Sequence, residues 1–310
     1  MKLSINEEER WKNRGITLRQ LFATTFLKSS VGGVMVILAL AVSFPLRAAQ
    51  ISSEEIAIHE TPSGIRFGTL GAKPSSPAPT LFMFAEAIEP TLRRPDFQQV
   101  ENALGAHGYR FVTLDLPCHG RDAKAGEPKD ALSCWWTRLA KGDNFVPSFT
   151  RDLSSVLDYL VREQYTDPLR VAACGASRGG FIALHFAAAD PRVKWVLAFS
   201  PVTNLVALSE FTGTADDPTS LTMSIITSLS LASNARKLVG RAIWLAIGSY
   251  DLRVNTDYTI AFSRRVVEAS IAEGKAPDVE LHVLPSNDHA VPAGAAANAT
   301  AWLLARMNAK

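Results

Sequence analysis

Val171-Ala172-Ala173-Cys174-Gly175-Ala176-Ser177-Arg178-Gly179-Gly180 is the stretch on which the reading of this chain turns. Its first half is an apolar run of the length of a buried strand, and residues 181–189 after it carry a helical pattern. Between the two lies Gly-x-Ser-x-Gly. Glycines flank the serine because so tight a turn from strand to helix leaves no room for side chains on both sides. The turn lifts the Ser177 hydroxyl off the sheet and aims the first amides of the next helix at whatever the serine attacks. A glycine-rich turn with a serine N-cap has a similar composition. The strand before it and the helix after it favour a nucleophile elbow.

Working outward, strands alternate with helices. Residues 80–85 are fully apolar, as in a strand covered on both faces. A helical pattern over 94–107 ends at Gly108, and the strand 109–116 runs into Asp115-Leu116-Pro117-Cys118-His119-Gly120. The clearest helix is 148–165, where Leu153, Val156, Leu157, Leu160 and Val161 recur on one face. Downstream, strands are expected at 193–199, 243–247 and 279–284, with helices at 256–273 and 293–308. This order predicts an α/β fold with a mostly parallel sheet and helices on both faces. An opening hairpin is expected over 51–76 around the turn Thr61-Pro62-Ser63-Gly64, followed by a stiff proline-rich loop. Some forty residues separate the strands at 193–199 and 243–247, more than a usual α/β connection. Within 201–240 either a small lid or a plain crossover helix fits.

The chain has 310 residues, a net charge of +2 and 47% hydrophobic residues, as expected of one folded domain with a full core. It has no long basic or acidic run, which argues against a nucleic-acid partner. Cys118, Cys134 and Cys174 form no C-x-x-C or Cys/His cluster, so no metal site is expected. Cys118 and Cys134 can pair in an oxidising compartment if the fold brings them close. Residues 1–28 are polar with an excess of Lys and Arg over Glu, and 31–46 are apolar except for Gly32, Gly33, Ser43 and Pro45. As a helix that run would reach about 24 Å, short of a hydrocarbon core of about 30 Å. With Ala48-Ala49 behind it, 1–49 reads as an export signal ahead of a domain at 50–310. The long leader and the lack of a clean A-x-A site leave a retained membrane anchor as the alternative, with a buried core helix as the third reading. The protein is therefore expected to be exported, periplasmic or secreted, with membrane association through 31–46 if the segment is kept.

A serine hydroxyl is a poor nucleophile until a base takes its proton, and a carboxylate must hold that base in the right tautomer. In such sheets the partners lie just past strand ends. Asp251 follows the strand 243–247 through Gly248-Ser249-Tyr250, and His289 follows 279–284 through Pro285-Ser286-Asn287-Asp288. Competing acids are Asp257, at a helix start where capping already explains it, and the pair Asp216-Asp217. Competing bases are His282, within a strand, and His185, within the elbow helix. Asp288 has a loop-capping role open to it.

Gly175-Ala176-Ser177-Arg178-Gly179-Gly180, Gly248-Ser249-Tyr250-Asp251-Leu252-Arg253-Val254 and Asn287-Asp288-His289 resemble the nucleophile, acid and histidine loops of the α/β-hydrolase superfamily. They are most similar to the branch of prolyl-oligopeptidase-like and dienelactone-hydrolase-like enzymes. Asp115-Leu116-Pro117-Cys118-His119-Gly120 is similar to the family's D-x-P-G-H-G loop, with Cys118 in the glycine position. The resemblance covers about 80–310. It implies that Ser177 attacks an acyl carbonyl, His289 accepts and returns the proton, and Asp251 orients His289. It also implies an oxyanion site made by the backbone N–H of Arg178 and one from Ala85 or Glu86. Many relatives carry His-Gly there, whereas this chain has Ala85-Glu86-Ala87, so the Glu86 carboxylate must turn away or meet a cationic group of the substrate. Arg178 either binds a substrate carboxylate or pairs at the surface. Trp135-Trp136 either lines the pocket or packs a loop on the core, the latter preferred.

The expected protein is a serine hydrolase acting on a small-molecule carboxylic ester or other acyl substrate, with no metal or cofactor. A peptidase, a thioesterase or acyltransferase, and a non-catalytic binding protein on the same scaffold are the rivals.

Overall fold

The computed structural model describes residues 56–71, 73–212, 220–286 and 288–308. The apolar run 31–46, the expected domain boundary, Asp216-Asp217 and Asn287 lie outside the described residues. No described helix is long and apolar enough to cross a membrane.

Apolar runs become central strands because both of their faces are covered. In chain order the strands are β1 (Ile56–Glu60), β2 (Arg66–Leu70), β3 (Ala78–Phe84), β4 (Arg110–Thr113), β5 (Thr166–Ala176), β6 (Val193–Phe199), β7 (Ala242–Gly248) and β8 (Asp278–Leu284). Every residue of β3 and β7 is buried. The sheet order is β1-β2-β4-β3-β5-β6-β7-β8. The β1–β2 hairpin adds antiparallel to β4, and the remaining strands run parallel. This is the mostly parallel α/β sheet that the alternation of elements predicts, in the α/β-hydrolase arrangement that the motif resemblance implies.

The helices are α1 (Ile88–Arg93), α2 (Gln99–Gly105), α3 (Ala131–Ala140), α4 (Phe145–Arg162), α5 (Arg178–Ala189), α6 (Ser209–Thr212), α7 (Ser220–Ser228), α8 (Thr256–Ala272) and α9 (Ala295–Asn308). One apolar cluster joins α3, α4, α5 and α8 to a face of the sheet through Trp135, Leu157, Phe181 and Phe262. A second joins α1, α2 and α9 to the other face through Ile88, Leu104 and Leu303.

Two local expectations change. The pattern over 94–107 is not one helix: α1 starts earlier and stops at Arg93, and α2 begins only at Gln99. Pro95 disfavours helical geometry at the residue before it, and Arg94 is accordingly extended. The helix expected at 148–165 is α4, which starts at Phe145 with Pro147 in its first turn, where no N–H is needed. The described part of 201–240 is a crossover of short helices tied to the body. Ile226 is buried, Leu231 N–H donates to the Thr203 carbonyl (2.9 Å), and the His185 ring bonds the Leu229 carbonyl (3.0 Å).

Cys118 and Cys134 form a disulfide across a separation of 16 residues, with their Cα atoms 6.3 Å apart. It ties the loop after β4 to α3. Cys118 has φ of +69°, a conformation natural to the glycine this loop usually carries. Asp115 organises the same loop, accepting the N–H groups of Ile88 (2.8 Å) and Arg121 (3.1 Å). A disulfide closing a loop of this size contributes about 3 kcal/mol. Reduction, or Cys134→Ser, is therefore expected to lower Tm by about 6–12 °C. An unchanged melting curve in reductant would show that the bond carries no stability.

Candidate active site

β5 delivers the serine and α5 leaves it, with Ser177 between them at φ 52°, ψ −118°. A side chain at Gly179 would collide with the Phe84 carbonyl, and one at Gly175 with the Gly179 backbone. The glycines thus permit β3, β5 and α5 to meet closely enough to hold the serine in this strained backbone state. Ser177 N–H donates to the Phe199 carbonyl (2.9 Å), and Val202 N–H donates to the Ser177 carbonyl (3.1 Å), so β6 and its exit loop fix the turn.

The structure brings Ser177, His289 and Asp251 into one chain of contacts. His289 Nε2 lies 2.9 Å from Ser177 Oγ, and His289 Nδ1 lies 2.8 Å from Asp251 Oδ2. An ionised carboxylate only accepts, so the ring proton belongs on Nδ1 and Nε2 is left to accept from the serine hydroxyl. The Asp251 side chain is fully buried. Burial alone would push its carboxyl up. The His289 contact and the N–H groups of Val254 (3.2 Å) and Arg253 (3.0 Å) outweigh that and hold it below the usual carboxylate range. The histidine loop is itself pinned, since Ser200 Oγ donates to the Ala290 carbonyl (2.8 Å).

The competing residues are engaged elsewhere. Asp257 sits in the first turn of α8, its N–H donating to Asn255 Oδ1. His282 stacks on Trp244, with ring centroids 4.8 Å apart. His185 is buried in α5, where burial pushes its pKa down to about 4. Asp288 serves its loop, accepting from Ser286 Oγ. His119 bonds the Pro117 carbonyl, and burial followed by the nearby Arg178 lowers its pKa.

The oxyanion expectation needs one correction. The Glu86 N–H is committed to Thr91 Oγ1 at 3.0 Å, because α1 folds that hydroxyl back over the end of β3. Ala85 is left as the second candidate donor beside Arg178. Arg178 opens α5, so its N–H has no acceptor within the helix. The Glu86 carboxylate meets cations, Arg94 at 3.4 Å and Arg178 at 3.6 Å. Trp135 is a packing residue: it is fully buried and its Nε1 donates to the Pro117 carbonyl (3.0 Å). Trp136 packs edge-on against Phe211. Cys118, Glu127 and Cys134 gather their ligand atoms in one place. The two sulfurs bond each other and the Glu127 carboxylate bonds Arg138, so this cluster has no thiolate to offer a metal.

The model of the prolyl oligopeptidase family matches residues 136–307, more than half of the chain and inclusive of Ser177, Asp251 and His289. The chain belongs to the prolyl oligopeptidase family. Solved structures carry the same fold. A Bacteroides ovatus protein assigned as a dipeptidyl aminopeptidase IV aligns at 15% identity and TM-score 0.59, over 81% of this chain and 35% of that one. Dipeptidyl peptidase 4 of Porphyromonas gingivalis aligns at 18% identity and TM-score 0.56, with the same two coverages of 81% and 35%. A cold-adapted esterase from an Arctic intertidal metagenomic library aligns at 15% identity and TM-score 0.58, over 81% of this chain and 92% of that one. The chain thus spans about a third of the two peptidases. No curated protein sequence matches it closely enough to add a relative.

Proposed function

We propose that this member of the prolyl oligopeptidase family cleaves a small carboxylic ester. The single observation that carries the reading is the His289 ring, bonded to Ser177 Oγ at 2.9 Å and to Asp251 Oδ2 at 2.8 Å. In this mechanism His289 Nε2 takes the hydroxyl proton as Ser177 Oγ bonds the acyl carbon. The oxyanion is held by the N–H groups of Arg178 and Ala85. His289 then returns the proton to the leaving alkoxide as the C–O bond breaks, and water repeats the sequence to release the acid from the acyl-enzyme. The fold is shared with the cold-adapted esterase at TM-score 0.58, which supports the ester reading, while the two peptidases supply its rival. Export also fits this reading, because a disulfide is at home in an oxidising compartment and 31–46 has an export signal's composition.

The test is turnover of p-nitrophenyl acetate and butyrate beside dipeptidyl p-nitroanilides, with fluorophosphonate labelling, in the native chain and in Ser177→Ala. Ester turnover and labelling that vanish together in the variant are expected. Preferential cleavage of the anilides would turn the reading to a peptidase. A folded native chain that neither labels nor turns over any substrate would sink it in favour of a binding role.

A further inference from the structure

A second feature of the site lies on the face of the sheet covered by α1, α2 and α9. Here a cavity of about 300 Å³ opens behind the nucleophile. Its floor is apolar: Met83, Val100, Cys174, Phe199 and Ala296 line it and are all buried. Among its polar lining residues, Asp96 and Gln99 are exposed and mark the mouth. Burial pushes the Cys174 thiol up to about 12, so this wall carries no charge near neutral pH.

The position of the cavity ties it to the chemistry. Its wall includes Ala85, the candidate oxyanion donor, Ala176, which precedes Ser177, and Val291, two residues after His289. A chain attached to an acyl carbon at Ser177 thus has an apolar space beside the residues adjoining the triad, with Ser177 and His289 themselves outside its lining. At about 300 Å³ the cavity falls at the small end of ligand pockets, suited to a short aliphatic chain rather than a polymer.

We infer that this cavity receives an unbranched aliphatic chain of the scissile ester and so sets the chain-length preference of the enzyme. The inference rests on the ester reading above and adds a substrate class to it. Each methylene that enters fully should raise kcat/KM by about fourfold, the value of complete apolar burial, until the cavity is filled.

The experiment compares two series on the native chain, p-nitrophenyl esters from acetate to octanoate and alkyl acetates of rising alcohol length, so that the acyl and alcohol sides are read separately. A steep rise with length is expected in one series. Ala296→Phe, which fills the cavity from α9, should lower the long-to-short kcat/KM ratio of that series at least tenfold. Val100→Ala, which enlarges the cavity from α2, should move the optimum to a longer chain. A flat profile in both series, or one that neither variant moves, would overturn the inference while Ser177-dependent ester turnover stands. Absence of turnover and of fluorophosphonate labelling in the native chain would instead remove the ester reading, and this inference with it.

Discussion

Asp251→Asn is expected to lower kcat on p-nitrophenyl acetate by about 10⁴-fold while the protein stays folded. The reason lies in how the two carboxylate oxygens are shared. Oδ1 accepts the N–H groups of Arg253 and Val254, and Oδ2 faces His289 Nδ1. An asparagine keeps its carbonyl on the two backbone donors and turns its amide N–H toward Nδ1. The ring must then accept there, its proton moves to Nε2, and the atom that should take the Ser177 proton becomes a donor. The loop geometry survives, so circular dichroism and Tm should change little. A loss below tenfold would exclude Asp251 as the residue that sets the tautomer of His289.

The second large effect concerns stability. Glu101 lies fully buried in α2, and neither carboxylate oxygen has a hydrogen-bond partner. Burial raises its pKa from 4.5 to about 8. For a carboxyl whose folded pKa lies above its unfolded one, the native state holds a proton that the unfolded chain has already lost. Stability therefore falls as pH rises above about 4.5 and levels off past about 8. At 1.36 kcal/mol per unit, the penalty accumulated across that window is about 3–5 kcal/mol. Glu101→Met keeps the volume and removes the ionisable group. The variant should gain little at pH 4.5 and about 3–5 kcal/mol over the native chain at pH 8.5, as read by urea unfolding at both pH values. A stability difference that stays constant with pH would mean that Glu101 keeps its ordinary affinity for protons in the fold.

Neither Glu101 nor the close approach of the cysteines is written in local sequence. An acidic residue in a helical pattern ordinarily faces water, and Glu101 is inside because α9 closes over α2 from the far end of the chain. The pairing of Cys118 with Cys134 depends on how α3 lies against the loop after β4, which no spacing rule fixes. The elements that were legible are those whose own composition carries the signal. These are the apolar strands covered on both faces, the single apolar stripe of α4, and the two glycines of the elbow. Asp251 and His289 were legible for a topological reason, since parallel strands gather their exit loops at one edge. The role of Glu86 was not, because its N–H is claimed by Thr91 only once α1 has turned back over β3. The break between α1 and α2 was available in Pro95 but outweighed by the apolar pattern on either side of it.

The backbone of Ser177, at φ 52° and ψ −118°, has a further consequence. Of all residues, glycine occupies such a conformation most readily, so the position proposed for attack is one where the fold itself would prefer no side chain. Here folding and chemistry select in opposite directions at a single codon. Ser177→Gly should therefore relax the backbone while it removes the hydroxyl, so that this position sets the robustness of the fold against the proposed chemistry.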